Sequence, residues 1–263
     1  MSSVIITGAS DGIGKELAFA FARRGYKLGL MARRKEKLQE VATECSKLGA
    51  KFVVVEATDV TDLKHFRTAL EKIDQLLMGT EIFIANAGIG LNGSLRDEYD
   101  LYQKTFSVNF LGAVSGLEIM KVKMLERKKG TLVGVSSVAG ARGMPVSGAY
   151  SSSKAALTIY LESLRIDLSP HNIKVLTIAP GFIKTAMTDQ NTFKMPFIIQ
   201  GSEAAEIFVK KILQGKELII APWQFRPIMK FLLCCPDFLY YFFMKRAAQV
   251  KARKHVRKTQ KVG

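Results

Sequence analysis

The sequence predicts a single α/β domain built on a doubly wound parallel sheet of about seven strands. Three observations carry that prediction. Short, mostly apolar runs alternate with longer stretches of helical periodicity, a glycine-rich turn joins the first run to the first such stretch, and the length of 263 residues suits one domain. Runs of this kind are buried on both faces, which a parallel sheet achieves by laying its crossover helices over each side.

Taken in order, Val4–Ile6, Lys27–Ala32, Lys51–Glu56, Glu81–Ala85, Thr131–Ser136 and Lys174–Ala179 read as buried strands, and Glu217–Ala221 as a seventh. Between Lys35 and Leu48, the residues Leu38, Val41, Cys45 and Leu48 recur at helical spacing. Leu63, Phe66, Leu70, Ile73 and Leu77 repeat the pattern, and a third helix runs from Tyr150 through Leu157, Leu161 and Leu164. No internal repeat or low-complexity linker interrupts this order. The composition changes at Pro222, dividing the chain into a folded domain at 1–222 and an apolar, aromatic-rich segment with a basic tail at 223–263.

A content of 48% hydrophobic and 24% charged residues excludes a disordered chain. Three cysteines, Cys45, Cys234 and Cys235, are too few and too unevenly spaced for a disulfide framework or a zinc cage. A reducing compartment and no metal are therefore expected. Val4–Ile6 follow Met1 too closely for a secretory leader, so the chain is expected to be cytoplasmic. The net charge of +16 would suggest nucleic acid if it were spread over the fold. Half of it instead sits in Lys245, Arg246, Lys251, Arg253, Lys254, Arg257, Lys258 and Lys261, with no recognised reading module, and no nucleic-acid partner is expected.

Directly after the first strand stands Thr7-Gly8-Ala9-Ser10-Asp11-Gly12-Ile13-Gly14. Glycines are needed where the backbone turns tightly and where a pyrophosphate approaches the main chain at a helix N-terminus. A bare structural turn would carry the same glycines, so the turn alone does not decide. Roughly twenty residues further on, dinucleotide folds place the group that reads the adenosine ribose. There the second strand ends in Ala32-Arg33-Arg34 rather than in an acid. Arg33 can grip a 2′-phosphate bidentately, which favours NADP(H); the bland alternative is that both arginines open a solvated helix.

Tyr150 and Lys154 lie four apart and share one helix face. An adjacent ammonium and the oxidised nicotinamide both stabilise a phenolate, so Lys154 is expected to tune Tyr150 down toward a working pKa. The fifth strand ends in Ser136-Ser137, thirteen residues before Tyr150, where a hydroxyl can meet a substrate carbonyl. Ser137 is chosen over Ser136. Serines also end strands for turn reasons, but the joint occurrence with Tyr150, Lys154 and the glycine turn is harder to dismiss.

On these residues the sequence resembles the short-chain dehydrogenases/reductases from about Ile5 to Thr185. The resemblance implies a Rossmann-like fold with the glycine turn and the set Ser137, Tyr150 and Lys154 as its coenzyme and catalytic elements. It adds Asn86, Ala87 and Gly88 after the fourth strand, Asp59 and Val60 beside the adenine, and Pro180, Gly181, Ile183 and Thr185 beside the nicotinamide. Asn109 is similar to the family's helix asparagine, which implies a water-mediated proton relay ending at Lys154.

The expected reaction is NADPH-dependent reduction of a carbonyl, with Ser137 and Tyr150 holding the oxygen and Tyr150 giving the proton. Met187, Phe193, Met195, Pro196 and Phe197 would line an apolar substrate site together with the aromatic C-terminus. By resemblance, lipid ketones such as 3-ketosphinganine, steroids or acyl-chain carbonyls are candidate substrates. An NADP-linked alcohol dehydrogenase and a non-catalytic NADP(H) sensor or scaffold are the rival readings. After Pro222, proline, Lys230 and Pro236-Asp237 break the apolar run short of a spanning helix. A helix pair lying on the cytosolic face of an anionic membrane fits, as does a cover for the cleft or a subunit interface. A homodimer through the helices around Asn109 and Tyr150 is a further expectation from resemblance.

Overall fold

A computed structural model describes residues 2–90, 99–189 and 194–259. Strand β1 (Ser3–Thr7) leads through the glycine turn into α1 (Gly12–Ala22), followed by β2 (Lys27–Ala32), α2 (Lys35–Lys47), β3 (Phe52–Ala57), α3 (Leu63–Leu76) and β4 (Ile82–Ala85). Then come α4 (Tyr99–Phe106), a π-helical turn (Ser107–Gly112), α5 (Ala113–Arg127), β5 (Gly130–Val135), α6 (Gly148–Leu168) and β6 (Ile173–Pro180). The remaining elements are β7 (Ile183–Lys184), α7 (Ala186–Asp189), β8 (Ile199–Gln200), α8 (Gly201–Leu213), β9 (Leu218–Ala221), α9 (Phe225–Cys234) and α10 (Asp237–Thr259).

Seven parallel strands, the number the apolar runs predict, form a sheet in the order β3-β2-β1-β4-β5-β6-β9. The third strand begins one residue later than expected, at Phe52, because Lys51 closes the turn by donating its backbone N–H to Tyr26. A separate two-residue pairing of β7 with β8 was not anticipated.

The sheet is buried on both sides because successive residues of each strand point to opposite faces. Val4 and Ile6 pack with Leu17 and Phe21 of α1, Leu38 of α2 and Phe208 of α8. Ile5 turns the other way, into a cluster with Phe66 of α3, Leu117 of α5 and Leu161 of α6. Chain order runs outward from β1 in one direction and from β4 in the other, so a crevice opens at the carboxyl ends of these two strands. There the site lies.

Two helices continue past the sheet. Helices α9 and α10 meet at an angle of 117°, and among the described residues no single helix is long and apolar enough to cross a membrane. Phe231, Phe238, Tyr241, Phe242 and Phe243 are exposed along them.

Candidate active site

A cleft of about 440 Å³ runs along the carboxyl ends of the strands, from Arg33 and Asp59 at one end to Tyr150, Lys154 and Met187 at the other. Backbone geometry builds the first half. Gly8 adopts φ +68°, a left-handed conformation costly for any residue with a β-carbon, and the Asp11 carboxylate accepts from Gly12 N at 2.8 Å to cap α1. A β-carbon on Gly14 would collide with the Gly8 carbonyl oxygen, so this glycine lets the helix sit against the turn and does not itself face the cleft. Asn86 clamps the turn by donating its amide to Thr7 O at 2.9 Å and Gly8 O at 3.3 Å. In return, Thr7 Oγ1 accepts from the backbone N–H groups of Asn86 and Ala87.

At the far end of this half, Arg33 stands 3.7 Å from Asp59 Oδ2. Burial would raise the Asp59 carboxyl, but Thr61, through its backbone N–H and hydroxyl, and Arg33 hold it below its ordinary value. Arg34, which no motif in the sequence assigns to the cofactor site, turns back onto the glycine turn. Its Nη2 donates to Asp11 Oδ2 at 3.1 Å and to Ser10 Oγ at 3.2 Å. Both guanidiniums line the cleft, with Ala32 and no acid between strand and helix. Thr58 lines the same wall with its buried hydroxyl unpaired among the described residues. This fits an NAD(P) dinucleotide: a glycine cradle open to a pyrophosphate, cations beyond it, and a buried polar atom still to be satisfied. Met31, Ile89, Val108 and Thr188 also line the cleft and carried no motif that would single them out.

Side chains from β5 and α6 build the second half. Adjacent serines at the end of β5 part company. Ser136 is buried and donates to Lys154 O at 2.9 Å, with Thr158 Oγ1 at 2.7 Å, fastening the strand to α6. The Ser137 hydroxyl accepts from Ala139 N at 3.1 Å, donates to Pro180 O at 3.4 Å, and lies near enough to the Tyr150 phenol to pull its pKa down.

Tyr150 and Lys154 both line the cleft, one turn apart on α6, with Lys154 Nζ 6.0 Å from the Tyr150 ring centre. Lys154 is only 4% exposed, and Nζ donates to Val135 O at 2.7 Å. Burial pushes its ammonium down to about 8. Contrary to the expected lowering, burial raises the Tyr150 phenol, and the opposing pull comes from the Ser137 hydroxyl rather than from Lys154. The ammonium lies over the ring rather than at the hydroxyl and spends a hydrogen bond on a strand carbonyl, whereas the serine acts on the phenol itself.

Asn109 lies behind the cleft wall, in the π-helical turn, and is fully buried. Its Oδ1 accepts from Ile89 N at 2.7 Å, and Nδ2 donates to Ile89 O at 3.0 Å and Ser153 Oγ at 3.2 Å. The side chain therefore braces the segment after β4 against α6. Gly88 separates it from the ammonium: a β-carbon there would lie 3.3 Å from Asn109 Oδ1 and 3.4 Å from Lys154 Nζ.

Gly8, Ser10, Asp11, Gly12, Ile13, Val60, Asn86, Ala87, Gly88, Pro180, Gly181, Ile183 and Thr185 all come together on the cleft wall. The expected substrate residues divide. Met187 lines the cleft, against Gly90. Phe197 does not; it is exposed, with its ring edge-on to Phe225 at 6.2 Å, because α9 offers it an aromatic partner outside the cleft. Met195 is partly buried away from the cleft lining, and Phe193 lies outside the described residues.

The family model for short chain dehydrogenases matches residues 2–195. An uncharacterized oxidoreductase of Myxococcus xanthus is 37% identical over 223 residues, which cover 84% of this chain and 88% of that protein. The 11-beta-hydroxysteroid dehydrogenase-like 4A of Arabidopsis thaliana is 33% identical over 245 residues, covering 90% and 81%. Among solved structures, an alcohol dehydrogenase from the archaeon Thermococcus sibiricus, complexed with 5-hydroxy-NADP, superposes with a TM-score of 0.75 at 26% identity, covering 84% of this chain and 95% of that one.

Proposed function

Since the chain belongs to the short-chain dehydrogenase/reductase family and is an NAD(P)-dependent oxidoreductase, we propose that it reduces a ketone or aldehyde carbonyl on an apolar, lipid-like substrate using NADPH. One observation carries the reading: Ser137, Tyr150 and Lys154 line one end of a cleft whose other end holds two arginines, with Ala32 rather than an acid closing β2. The nicotinamide, when bound, supplies the hydride. Ser137 and Tyr150 donate to the substrate oxygen as charge develops on it, and the phenol gives up its proton there. Lys154, charged and dry, stabilises the phenolate left behind more strongly than it could in water. Asn109 keeps Ile89 and Ser153 in place and so holds the wall against which the lysine lies.

Arg33 and Arg34 support NADP(H) over NAD(H), since paired guanidiniums bind the extra phosphate where an acid would repel it. The 5-hydroxy-NADP held by the Thermococcus sibiricus enzyme is in keeping with this. Residues 1–222 form the dinucleotide-binding and catalytic unit in this reading, and 223–263 seat it peripherally on a cytosolic membrane face. Exposed aromatics of α9 and α10 interspersed with Lys230, Lys245 and Arg246 support that contact. Exposed Leu111, Val122, Ile159 and Ile166 around α5 and α6 suit a homodimer face.

The test is NADPH oxidation against ketones and aldehydes graded by chain length, with phosphatidylserine vesicles present and absent. Rates should rise with chain length and with NADPH over NADH. Preference for short polar carbonyls would sink the substrate assignment, and no turnover with any carbonyl would sink the reductase reading.

A further inference from the structure

We infer that Arg142 is a positioning residue that clamps the C-terminal helix pair to the loop carrying Ser137, setting the mouth through which a membrane-dissolved substrate reaches the cleft. The inference rests on the apolar-substrate and membrane readings above and adds a residue that neither of them uses.

Helices α9 and α10 meet the domain at two anchors. The first is Phe225, packed with Ala179 and Ile220 and against Val138, Phe182 and Met229. A β-carbon on Gly181, a residue of the cleft wall, would collide with the Phe225 ring. Val138 follows Ser137 directly, so the start of α9 touches both loops that form the substrate end of the cleft.

Arg142 makes the second anchor, from the same loop, five residues after Ser137 and outside the cleft lining. Its Nη2 meets Asp237 Oδ1 at 2.8 Å, and Nη1 donates to Cys235 O at 3.4 Å. Its guanidinium carbon lies 4.3 Å from the centre of the Tyr240 ring, and the Tyr240 hydroxyl donates to Gly143 O. One planar cation thus holds a carbonyl, a carboxylate and an aromatic face across the bend between the two helices. Lysine cannot make that set of contacts with a single point charge.

Tyr240 is 5% exposed at this anchor, whereas Phe238, on the same turn of α10, is 77% exposed. The helix therefore has one side held to the domain and the other presented outward. Exposed Arg226, Lys230, Lys245 and Arg246 lie among the outward aromatics, a pattern that suits anionic headgroups above acyl chains. With the clamp closed, that face and the Ser137 loop keep a fixed relation, and a lipid-like ketone leaves the bilayer beside the cleft. With it open, Phe225 still tethers the pair, but the mouth is no longer held to the membrane surface.

The experiment compares wild type, Arg142→Ala, Arg142→Lys and Asp237→Asn. Each is assayed for sedimentation with phosphatidylcholine–phosphatidylserine vesicles and for KM and kcat on two substrates, the best long-chain ketone dissolved in those vesicles and water-soluble cyclohexanone. For Arg142→Ala, KM for the vesicle-borne ketone should rise about tenfold, the worth of one charge-assisted contact, with kcat within about twofold. Vesicle binding and cyclohexanone kinetics should stay at wild-type values. Arg142→Lys should fail to restore KM, and Asp237→Asn, at an exposed carboxylate that cannot unfold the loop, should move it in the same direction by less. An unchanged KM in Arg142→Ala, or equal losses on both ketones, overturns the clamp. Wild type that stays in the supernatant overturns the membrane premise itself, and wild type without turnover overturns the reductase reading.

Discussion

The two ends of the cleft are built by different means. At the coenzyme end, shape comes from the main chain: Gly8, Gly14 and the Asn86 amide fix the turn through contacts with backbone atoms. At the substrate end, shape comes from side chains brought together across long stretches of sequence, such as Phe225 on Phe182 and Arg142 on Asp237. A backbone-built end tolerates little change in the bound group but needs few particular side chains. An end built from side chains can be reshaped one residue at a time, which suits a domain whose chemistry stays fixed while its substrate varies.

If this division is right, the sharpest separation comes from Tyr150→Phe. It keeps the ring and removes the proton donor, so kcat should fall by about 10²–10⁴ while NADPH binding, followed by fluorescence titration, stays at the wild-type value. A near-normal rate would break the catalytic assignment, and lost NADPH binding would mean that the two ends are not separable.

Lys154 belongs to the substrate end yet is buried under the wall that both ends share, and its charge should be visible in stability. With the native ammonium pushed down to about 8, both folded and unfolded chains are protonated below that pH, and the buried charge then costs most. Between about pH 8 and 10.5 the unfolded chain holds a proton that the folded chain has released, so this group makes stability rise with pH. In urea unfolding, wild type should gain on Lys154→Met by up to about 3 kcal/mol across that window. A flat difference would show that the ammonium is not desolvated.

The smallest expected effect tests the coenzyme end alone. Removing either guanidinium by Arg33→Ala or Arg34→Ala should weaken NADPH binding about tenfold and leave NADH nearly unchanged. Equal losses for both coenzymes would assign the arginines to the glycine turn rather than to a phosphate.

The same division explains what could be read beforehand. The doubly wound parallel sheet follows from runs such as Val4–Ile6, whose neighbours in sequence point to opposite faces and are buried on both. Tyr150 and Lys154 were legible as a pair because helix geometry alone puts positions four apart on one face. Arg34 was not, because adjacent arginines at a strand end differ only in which way the chain turns next. Phe197 was assigned to the substrate by its apolar character, which says nothing of a partner at Phe225 in a helix not yet placed. The direction of the Tyr150 shift is illegible for a related reason: a spacing of four gives the face but neither the depth of burial nor the nearness of Ser137.

The wide turn at Ser107–Gly112 has a consequence for how this chain can vary in length. An inserted residue swings everything after it by about 100° around a helix axis, and the π geometry absorbs one such step without breaking the rod. Deleting one residue there would restore an ordinary helix with α4 and α5 in nearly the same phase, and only the residues of the turn itself would be re-aimed. The Asn109 amide would then leave Ile89, although every side chain that faces the cleft remained in the sequence. At this point the spacing of the chain matters as much as its chemistry.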